Sequence, residues 1–184
     1  MDNNYVFQYW EAIENGAVTV GKWIRTIYKI LVDGLKSGKW DFDGDKANKA
    51  INFIENFCHH SEGRNDLLKL ELWQKAIVSA IFGIMDKKTG YRQFREVFIV
   101  VARKNGKTLF AAAIAAYMTY IDGEYGAKVY FLAPKLDQAD LVYDAFYQIV
   151  QADDELESIT KKRRSDIYIK EFNTSVKKIA FNSK

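Results

Sequence analysis

Three cations are crowded into a short stretch where a strand-like sequence runs into a helix-like one. Residues 98–118, "FIVVARKNGKTLFAAAIAAYM", place Arg103, Lys104 and Lys107 within five positions of one another. Cations this close repel each other unless an anion lies between them. A strand that turns into a helix presents successive backbone N–H groups, together with the helix dipole, to such an anion. We therefore interpret the Gly-Lys-Thr tripeptide in this stretch as part of a phosphate-binding loop.

The residue types in the loop suit a nucleoside triphosphate with magnesium. Lys107 would reach the β- and γ-phosphates as a point charge, and the Thr108 hydroxyl would complete the coordination of a Mg²⁺ ion that bridges the same oxygens. Gly106 has no Cβ, so the main chain can approach a phosphate closely. The predicted nucleotide-binding residues of the loop are Arg103, Lys104, Asn105, Gly106, Lys107 and Thr108, with Arg103 and Lys107 as the catalytic residues.

The loop departs from the usual phosphate-loop pattern in one position. The pattern G-x-x-x-x-G-K-[ST] would have its first glycine at position 101, where this chain has Val101. A Gly-Lys-Thr tripeptide also occurs in ordinary surface turns, so the interpretation depends on the flanking strand and helix. Arg103 could stabilise charge that develops on the γ-phosphoryl group. The alternative is that Arg103, Lys104 or both point to solvent.

The sequence upstream of the loop predicts helices. Apolar residues recur at helical spacing in four segments, which cover about 5–15, 23–35, 47–58 and 72–82, with Asp45 as a possible cap of the third. Residues 1–85 are therefore expected to form an N-terminal helical segment. Residues 86–184 are expected to form a second domain.

Downstream of Gly90 the pattern changes to alternating strands and helices. Phe94 to Ala102 is apolar on both alternations and predicts a buried strand, which a helix from about Lys107 to Ile121 follows. A second strand, "AKVYFLA", and a second helix come next, and the end of the chain predicts a β-hairpin that turns near Asn173 and Thr174. This order predicts an α/β fold with a parallel sheet, and the phosphate-binding loop places it in the P-loop NTPase class.

Composition excludes several classes of protein. The 184 residues are 48% hydrophobic, which suits a folded chain, and the single cysteine excludes a disulfide framework and favours a reducing, cytoplasmic setting. A formal charge of +3 does not by itself indicate a nucleic-acid binder. The N-terminus does not resemble a secretory signal, and the longest apolar run falls far short of the ~20 residues that cross a membrane.

The chain resembles the large terminase subunit of tailed bacteriophages, the ATP-driven motor that packages DNA. The phosphate loop of that family lacks the first glycine and has an arginine four residues before the lysine, as in "VARKNGKT". Further segments follow in the order found in such subunits, particularly those from phages of Gram-positive bacteria. They are "YWEAIENGAVTVGKW", "DFDGDKANKAINFIENFCHH", "LKLELWQKAIVSAIFG", "GYRQFREVFIVVARKNGKT" and "VYFLAPKLDQADLVYDA".

The resemblance implies a set of ligands and partners. A Gln upstream of the phosphate loop reads adenine in this family, and Gln74 matches it; the alternative is an exposed glutamine on a helix surface beside a buried Trp73. ATP and Mg²⁺ would be the cofactors. Double-stranded DNA, the small terminase subunit and the portal would be the partners in the intact protein, which would act in the cytoplasm of a bacterial host, without a membrane and possibly as an oligomer.

The sequence also departs from the family. An apolar strand ending in Asp-Glu, which holds Mg²⁺ and activates the attacking water, is absent from the 184 residues, as is a nuclease domain with clustered carboxylates. The resemblance therefore implies that residues 86–184 are the first part of an incomplete P-loop ATPase domain, and we expect an N-terminal fragment that does not turn over ATP on its own. Two rival interpretations remain: a fragment of a helicase-like ATPase, and a non-catalytic module whose N-terminal helices bind the small subunit or the portal.

Two further clusters carry less weight. Cys58, His59 and His60 include potential metal ligands, but three adjacent residues cannot converge on one ion, and helix-end packing is the preferred interpretation. The basic run of residues 161–164 could contact phosphates. It follows an acidic stretch, however, and a solvated turn before a strand is the interpretation we favour.

Overall fold

The computed structural model describes residues 4–60 and 63–181 of the chain. Within these residues it has seven helices and six strands. In chain order they are α1 (Tyr5–Glu14), α2 (Lys22–Lys36), β1 (Trp40–Phe42), α3 (Gly44–Phe57), α4 (Leu72–Gly83), β2 (Ile84–Asp86), α5 (Lys107–Tyr120), β3 (Lys128–Ala133), α6 (Leu136–Gln151), α7 (Asp154–Ile159), β4 (Thr160–Lys162), β5 (Ile167–Ile169) and β6 (Thr174–Ala180).

The described residues form two compact units. One comprises those of Met1–Asn52 and Lys69–Ile99, and the other comprises those of Phe53–Leu68 and Val100–Lys184. The boundary passes through α3, so this helix contributes residues to both. No helix in the described parts of the chain is long and apolar enough to cross a membrane.

The first unit packs α1, α2 and α4 around a core rich in aromatic residues. Tyr9 of α1 meets Tyr28 of α2 edge to face, with ring centroids 4.7 Å apart. Strands β1 and β2 form a two-stranded antiparallel sheet in which Asp41 pairs with Met85. Gly34 lets α2 approach this sheet closely, because a Cβ at that position would lie 2.4 Å from the Trp40 ring.

The second unit contains a four-stranded mixed sheet in the order β3-β6-β5-β4. Strands β3 and β6 are parallel, whereas β6, β5 and β4 pair antiparallel. Helix α6 covers one face of the sheet through Tyr143 and Phe146, whose rings contact Phe131 of β3. The sheet and its helices thus form an α/β fold, as the sequence predicts.

The predicted strand from Phe94 to Ala102 is wrong. These residues include no strand and no helix, and the large apolar side chains of residues 97–100 face solvent: Phe98 is 96% exposed and Val100 is 84% exposed. Phe94 is half-buried and meets the Trp40 ring edge to face, with ring centroids 5.6 Å apart. A strand needs a neighbouring strand for its backbone N–H and C=O groups. No strand among residues 4–60 and 63–181 pairs with this segment, so its apolar sequence alone does not make it part of a sheet.

The other main elements agree with the sequence. The four upstream helices, the helix after the loop, the strand "KVYFLA" and the terminal hairpin are all confirmed. The cap of α3 differs from the prediction: the Asp43 carboxylate accepts the Lys46 N–H at 2.9 Å, and Asp45 lies inside the first turn. Strands β1, β2 and β4 and the short helix α7 are not predicted by the sequence, because three- to six-residue elements carry too little periodicity.

Candidate nucleotide-binding site

The chain enters α5 through a turn with two residues in the left-handed region. Lys104 has φ +68° and Gly106, which immediately precedes the helix, has φ +64° and ψ +16°. Glycine adopts this conformation at little cost, whereas a residue with a side chain adopts it rarely. A Cβ at Gly106 would meet no atom within 4 Å, so glycine is required there by the backbone conformation and not by crowding.

Asn105 holds the turn together from inside. Its Nδ2 donates to the Ala102 carbonyl at 3.2 Å and to the Arg103 carbonyl at 3.3 Å. The first helical hydrogen bond follows, from the Phe110 N–H to the Gly106 carbonyl at 2.9 Å. Hydrogen bonds to backbone carbonyls of the loop therefore hold its conformation. The side chains of its three cations take no part in these hydrogen bonds.

The cations of the loop have no anionic partner among the described residues. Arg103, Lys104 and Lys107 are exposed, and none of them forms an ion pair within residues 4–60 and 63–181. Thr108 is half-buried in the first turn of α5. No side chain caps the N-terminus of this helix, so its first N–H groups remain open to an acceptor. Unpaired positive charge and uncapped N–H groups fit the oxygens of a polyphosphate.

Helix α5 gives the loop a firm base. Phe110 and most of the alanines that follow it are buried, and their small side chains let α5 pack closely against α6. Tyr120, at the far end of α5, stacks on Phe146 of α6 and exchanges a hydrogen bond with Thr160 at 2.7 Å. The helix N-terminus is therefore presented by an element that is fixed along its length.

Gln74 lies in the first unit, whereas the loop lies in the second. It is buried in the first turn of α4, so the alternative of an exposed glutamine is wrong. Its Oε1 accepts the Glu71 N–H at 2.9 Å, and the Glu71 side chain accepts the Gln74 N–H in return, which makes a capping box. The sequence did not predict this structural use of Gln74. Because the capping box engages Oε1, only the Nε2 group of Gln74 could donate to a ligand.

Four members of the weaker clusters are buried or have a local partner. Cys58 is buried, which raises the pKa of its thiol to about 12. His60 contacts the Arg64 guanidinium, and burial followed by this cation lowers its pKa. In the basic run, Lys162 lies 3.9 Å from the centre of the Tyr147 ring and Arg163 pairs with Asp166 at 2.6 Å. These contacts account for two of the four cations of that run.

A separate groove of about 520 Å³ lies in the first unit, beside the start of α3 and the β1–β2 sheet. Four aspartates line it, at positions 41, 43, 45 and 86. Lys46 pairs with Asp43 at 3.6 Å and Lys87 pairs with Asp41 at 4.0 Å, so part of the acidic charge is compensated. The groove contains none of the residues that the sequence analysis selected for nucleotide binding.

Comparison with known proteins gives the chain its relatives. Residues 72–183 match the family described as terminase large subunit, ATPase domain. The fold is similar to the crystal structure of the large terminase of bacteriophage HK97, with a TM-score of 0.65 and 24% sequence identity over 76% of this chain. The chain spans 28% of the length of that terminase. No curated protein matches it. The family match covers the turn before α5, the mixed sheet and its helices, and the chain belongs to the family of terminase large subunit ATPase domains.

Proposed function

We propose that the turn from Arg103 to Thr108 binds the phosphates of Mg·ATP. The observation that carries the proposal is the turn itself. Two left-handed residues lead the chain into an uncapped helix N-terminus, beside three cations that form no ion pair with the residues that the structure describes. A polyphosphate would accept hydrogen bonds from the first N–H groups of α5 and neutralise the cations. The chain belongs to a family of ATPase domains, which supports ATP as the ligand.

Within such a site each residue would have a different role. Lys107 would contact the β- and γ-phosphates, the Thr108 hydroxyl would be the protein ligand of Mg²⁺, and Arg103 would stabilise charge that develops at the γ-phosphoryl group. Lys104, Asn105 and the Gly106 N–H would complete the binding surface. We further propose that Gln74 reads the adenine base through its Nε2 group, since its Oε1 is engaged by the capping box.

For the whole protein we propose an ATP-driven DNA-packaging motor. The family to which the chain belongs supports this, and so does the match to a phage terminase. Double-stranded DNA, the small terminase subunit and the portal would be its partners, and it would act as an oligomer in the cytoplasm of a bacterial host. The helicase-like alternative has no observation in its favour.

We expect this chain alone to bind nucleotide weakly and to hydrolyse it negligibly. ATP hydrolysis needs a carboxylate that positions and activates the attacking water. The sequence of 184 residues has no apolar strand ending in Asp-Glu to supply it. We therefore expect this chain to bind nucleotide while hydrolysing it negligibly.

The test is a calorimetric titration of the full chain with a non-hydrolysable ATP analogue and Mg²⁺, alongside a phosphate-release assay with ATP. We expect binding that Lys107→Ala weakens by at least tenfold, because the variant loses the cation nearest the phosphates. Lys170→Ala is the matched control, since Lys170 is an exposed lysine in the turn between β5 and β6. Equal affinity of the parent and Lys107→Ala would disprove the site. Turnover that depends on Lys107 would disprove the expected separation.

A further inference from the structure

The four-stranded sheet of the second unit has one covered face and one face that is open to solvent. Helix α6 covers the first through the ring of Phe131 on β3 and through an ion pair between Lys178 of β6 and a carboxylate of the helix. Successive side chains of a strand point to opposite faces of its sheet. The neighbours of these two residues therefore point away from α6, and they are exposed: Tyr130 by 49%, Leu132 by 63% and Ile179 by 41%.

The strand register brings six side chains of the uncovered face into two rows across the sheet. Tyr168 of β5 belongs to this face, because both of its neighbours in the strand are fully buried on the other one. The turn of the β4–β5 hairpin extends the second row, since the Arg163 N–H donates to the Asp166 carbonyl in the same register. We call the six residues the open face. Its first row is Lys128, Tyr168 and Lys161, and its second row is Tyr130, Lys177 and Arg163.

Four of the six residues of the open face are cations. Among the described residues the two rows contain one carboxylate, Asp166, which pairs with the Arg163 Nε at 2.6 Å. Lys128 and Lys161 are exposed, and neither forms an ion pair within residues 4–60 and 63–181. The basic run of residues 161–164 therefore begins in β4 and not in a turn, and its first lysine lies on the sheet. The open face has an excess of positive charge.

A further apolar layer of protein does not suit these two rows. Sheets with parallel strands that are covered on both faces have nearly continuous apolar sequences. The open face instead has lysines on β3, β6 and β4, and a buried lysine costs free energy unless an anion accompanies it. The charge of the open face therefore favours an anionic occupant.

The aromatic residues between the cations indicate which anion would fit. Tyr130 offers an exposed ring, and the Arg163 guanidinium lies 4.0 Å from the centre of the Tyr168 ring. Nucleic-acid bases stack on aromatic rings and on guanidinium planes alike. The two tyrosines lie on strands about 10 Å apart, with Lys177 on the strand between them. The bases of a duplex stack on one another and are not free to do this, so a single strand fits the face.

We propose that the open face binds a single-stranded nucleic acid, with bases stacked on Tyr130 and on the Arg163–Tyr168 pair. The phosphates of the strand lie against the three lysines, Lys128, Lys161 and Lys177. The proposal does not rest on nucleotide binding at the turn before α5, because it uses none of residues 103–108. Double-stranded DNA, the partner that we propose for the whole protein, would not use this face.

The test is fluorescence anisotropy of the full chain with a labelled oligothymidylate of about twelve nucleotides, a length that single-strand sites span. We expect this strand to bind at least tenfold more tightly than its duplex with oligoadenylate. Tyr130→Ala should weaken binding of the single strand at least fivefold, because a base loses its stacking partner. Tyr91→Ala is the matched control, since Tyr91 is an exposed tyrosine of the first unit and should bind the strand as the parent does. Circular dichroism confirms that both variants are folded.

The dependence of binding on salt tests the lysines. Each phosphate contact of a single strand adds about 0.7 to the slope of log affinity against log salt concentration. Lys161→Ala should reduce this slope by about 0.7, a change that a purely structural role would not cause. Lys49→Ala, at an exposed lysine of α3 in the first unit, should leave the slope as it is. Oligouridylate repeats the measurement with RNA: either strand with these dependences supports the proposal, and the tighter one identifies the sugar that the face prefers.

Four outcomes would overturn the proposal. The first is a duplex that binds as tightly as the single strand. The second is binding that Tyr130→Ala leaves intact, which would place the strand on another basic surface. The third is sedimentation that shows a dimer of the parent and a monomer of Tyr130→Ala, because a second copy would then cover the face. The fourth is the lack of any oligonucleotide binding by a chain that still binds the ATP analogue, which would leave the nucleotide site standing alone.

Discussion

The two left-handed residues of the turn before α5, Lys104 and Gly106, differ in the strain that their backbone conformation causes. Lys104 has a side chain and therefore holds its φ of +68° at a cost, which the hydrogen bonds of Asn105 help to offset. Gly106 holds nearly the same φ without that cost. The turn thus has one position where a side chain is tolerated and one where glycine relieves the backbone. This difference can be tested without any ligand.

The Gly106→Ala variant should lower the free energy of unfolding by about 1 kcal/mol, because alanine is strained in the left-handed region. A Cβ there meets open space, so no clash adds to this value. Denaturant unfolding, monitored by circular dichroism, measures the change. Gly44→Ala is the control, since Gly44 begins α3 without a positive φ and a Cβ there makes only ordinary contacts. Equal stability of parent and Gly106→Ala would show that the turn relaxes to another conformation.

In the turn from Arg103 to Thr108, the sequence predicts the helix that follows better than the conformation of the turn. The start of α5 at about Lys107 follows from the sequence, whereas its lack of a side-chain cap does not. The left-handed conformation of Lys104 does not follow either, since lysine has no preference for it. The capping box of Gln74 was also missed. The Glu-x-x-Gln spacing from Glu71 to Gln74 was its only signal, and Glu is not among the usual N-cap residues.

At the scale of elements, an ion pair between Arg163 and Asp166 closes the turn of the β4–β5 hairpin. Arg163 donates through Nε and Nη2 to the two Asp166 oxygens, at 2.6 and 2.7 Å, and its backbone N–H donates to the Asp166 carbonyl at 2.8 Å. The Asp166 side chain is 5% exposed. The Arg163 hydrogen bonds lower the pKa of Asp166, although burial opposes them. The hairpin is therefore fastened by a carboxylate that must stay ionised.

The Asp166→Asn variant should lose about 2 kcal/mol of stability at neutral pH, because it removes a buried charge-assisted pair. Because the pKa of Asp166 is lowered in the folded state, its ionisation stabilises the folded protein at pH values above the ordinary aspartate pKa of ~3.9. This stabilisation is lost as the pH falls through the folded-state pKa. The stability difference between parent and variant should therefore shrink below about pH 4. Urea titrations at several pH values measure it, with Glu171→Gln, an exposed neighbour, as the control. A difference that is independent of pH would contradict the ionised pair.

Elements were predictable from sequence where their own residues decide them. Helices α1, α2 and α4 follow from apolar spacing, and the β5–β6 hairpin follows from alternation on either side of a turn. The segment Phe94–Ala102 shows the limit of this reasoning, because a buried strand needs partners that its own letters do not specify. The apolar sequence of this segment would be the same whether or not it paired with a sheet. The strand order β3-β6-β5-β4 shows that, among the described residues, the segment is not part of the sheet.

At the scale of the whole molecule, backbone protection should be uneven. Helix α5 is largely buried and strand β6 lies between two hydrogen-bonded neighbours, β3 and β5, whereas residues 97–101 make no backbone hydrogen bond within the described parts of the chain. Amides exchange with solvent at rates that follow such local differences. A hydrogen-exchange map therefore reports on both units at once, and on any site that a ligand fills.

We expect residues 97–101 to exchange close to the unprotected rate, and α5, α6 and β6 to be the slowest parts of the second unit. Mg·ATP should then protect residues 103–108, because a bound polyphosphate accepts hydrogen bonds from the turn and the first N–H groups of α5. Peptides from α1 and α2 should exchange as before. Mass spectrometry of the full chain measures this, and Lys107→Ala should abolish the protection. Protection in α2 but not in the turn would move the nucleotide away from the loop and would contradict the proposed site.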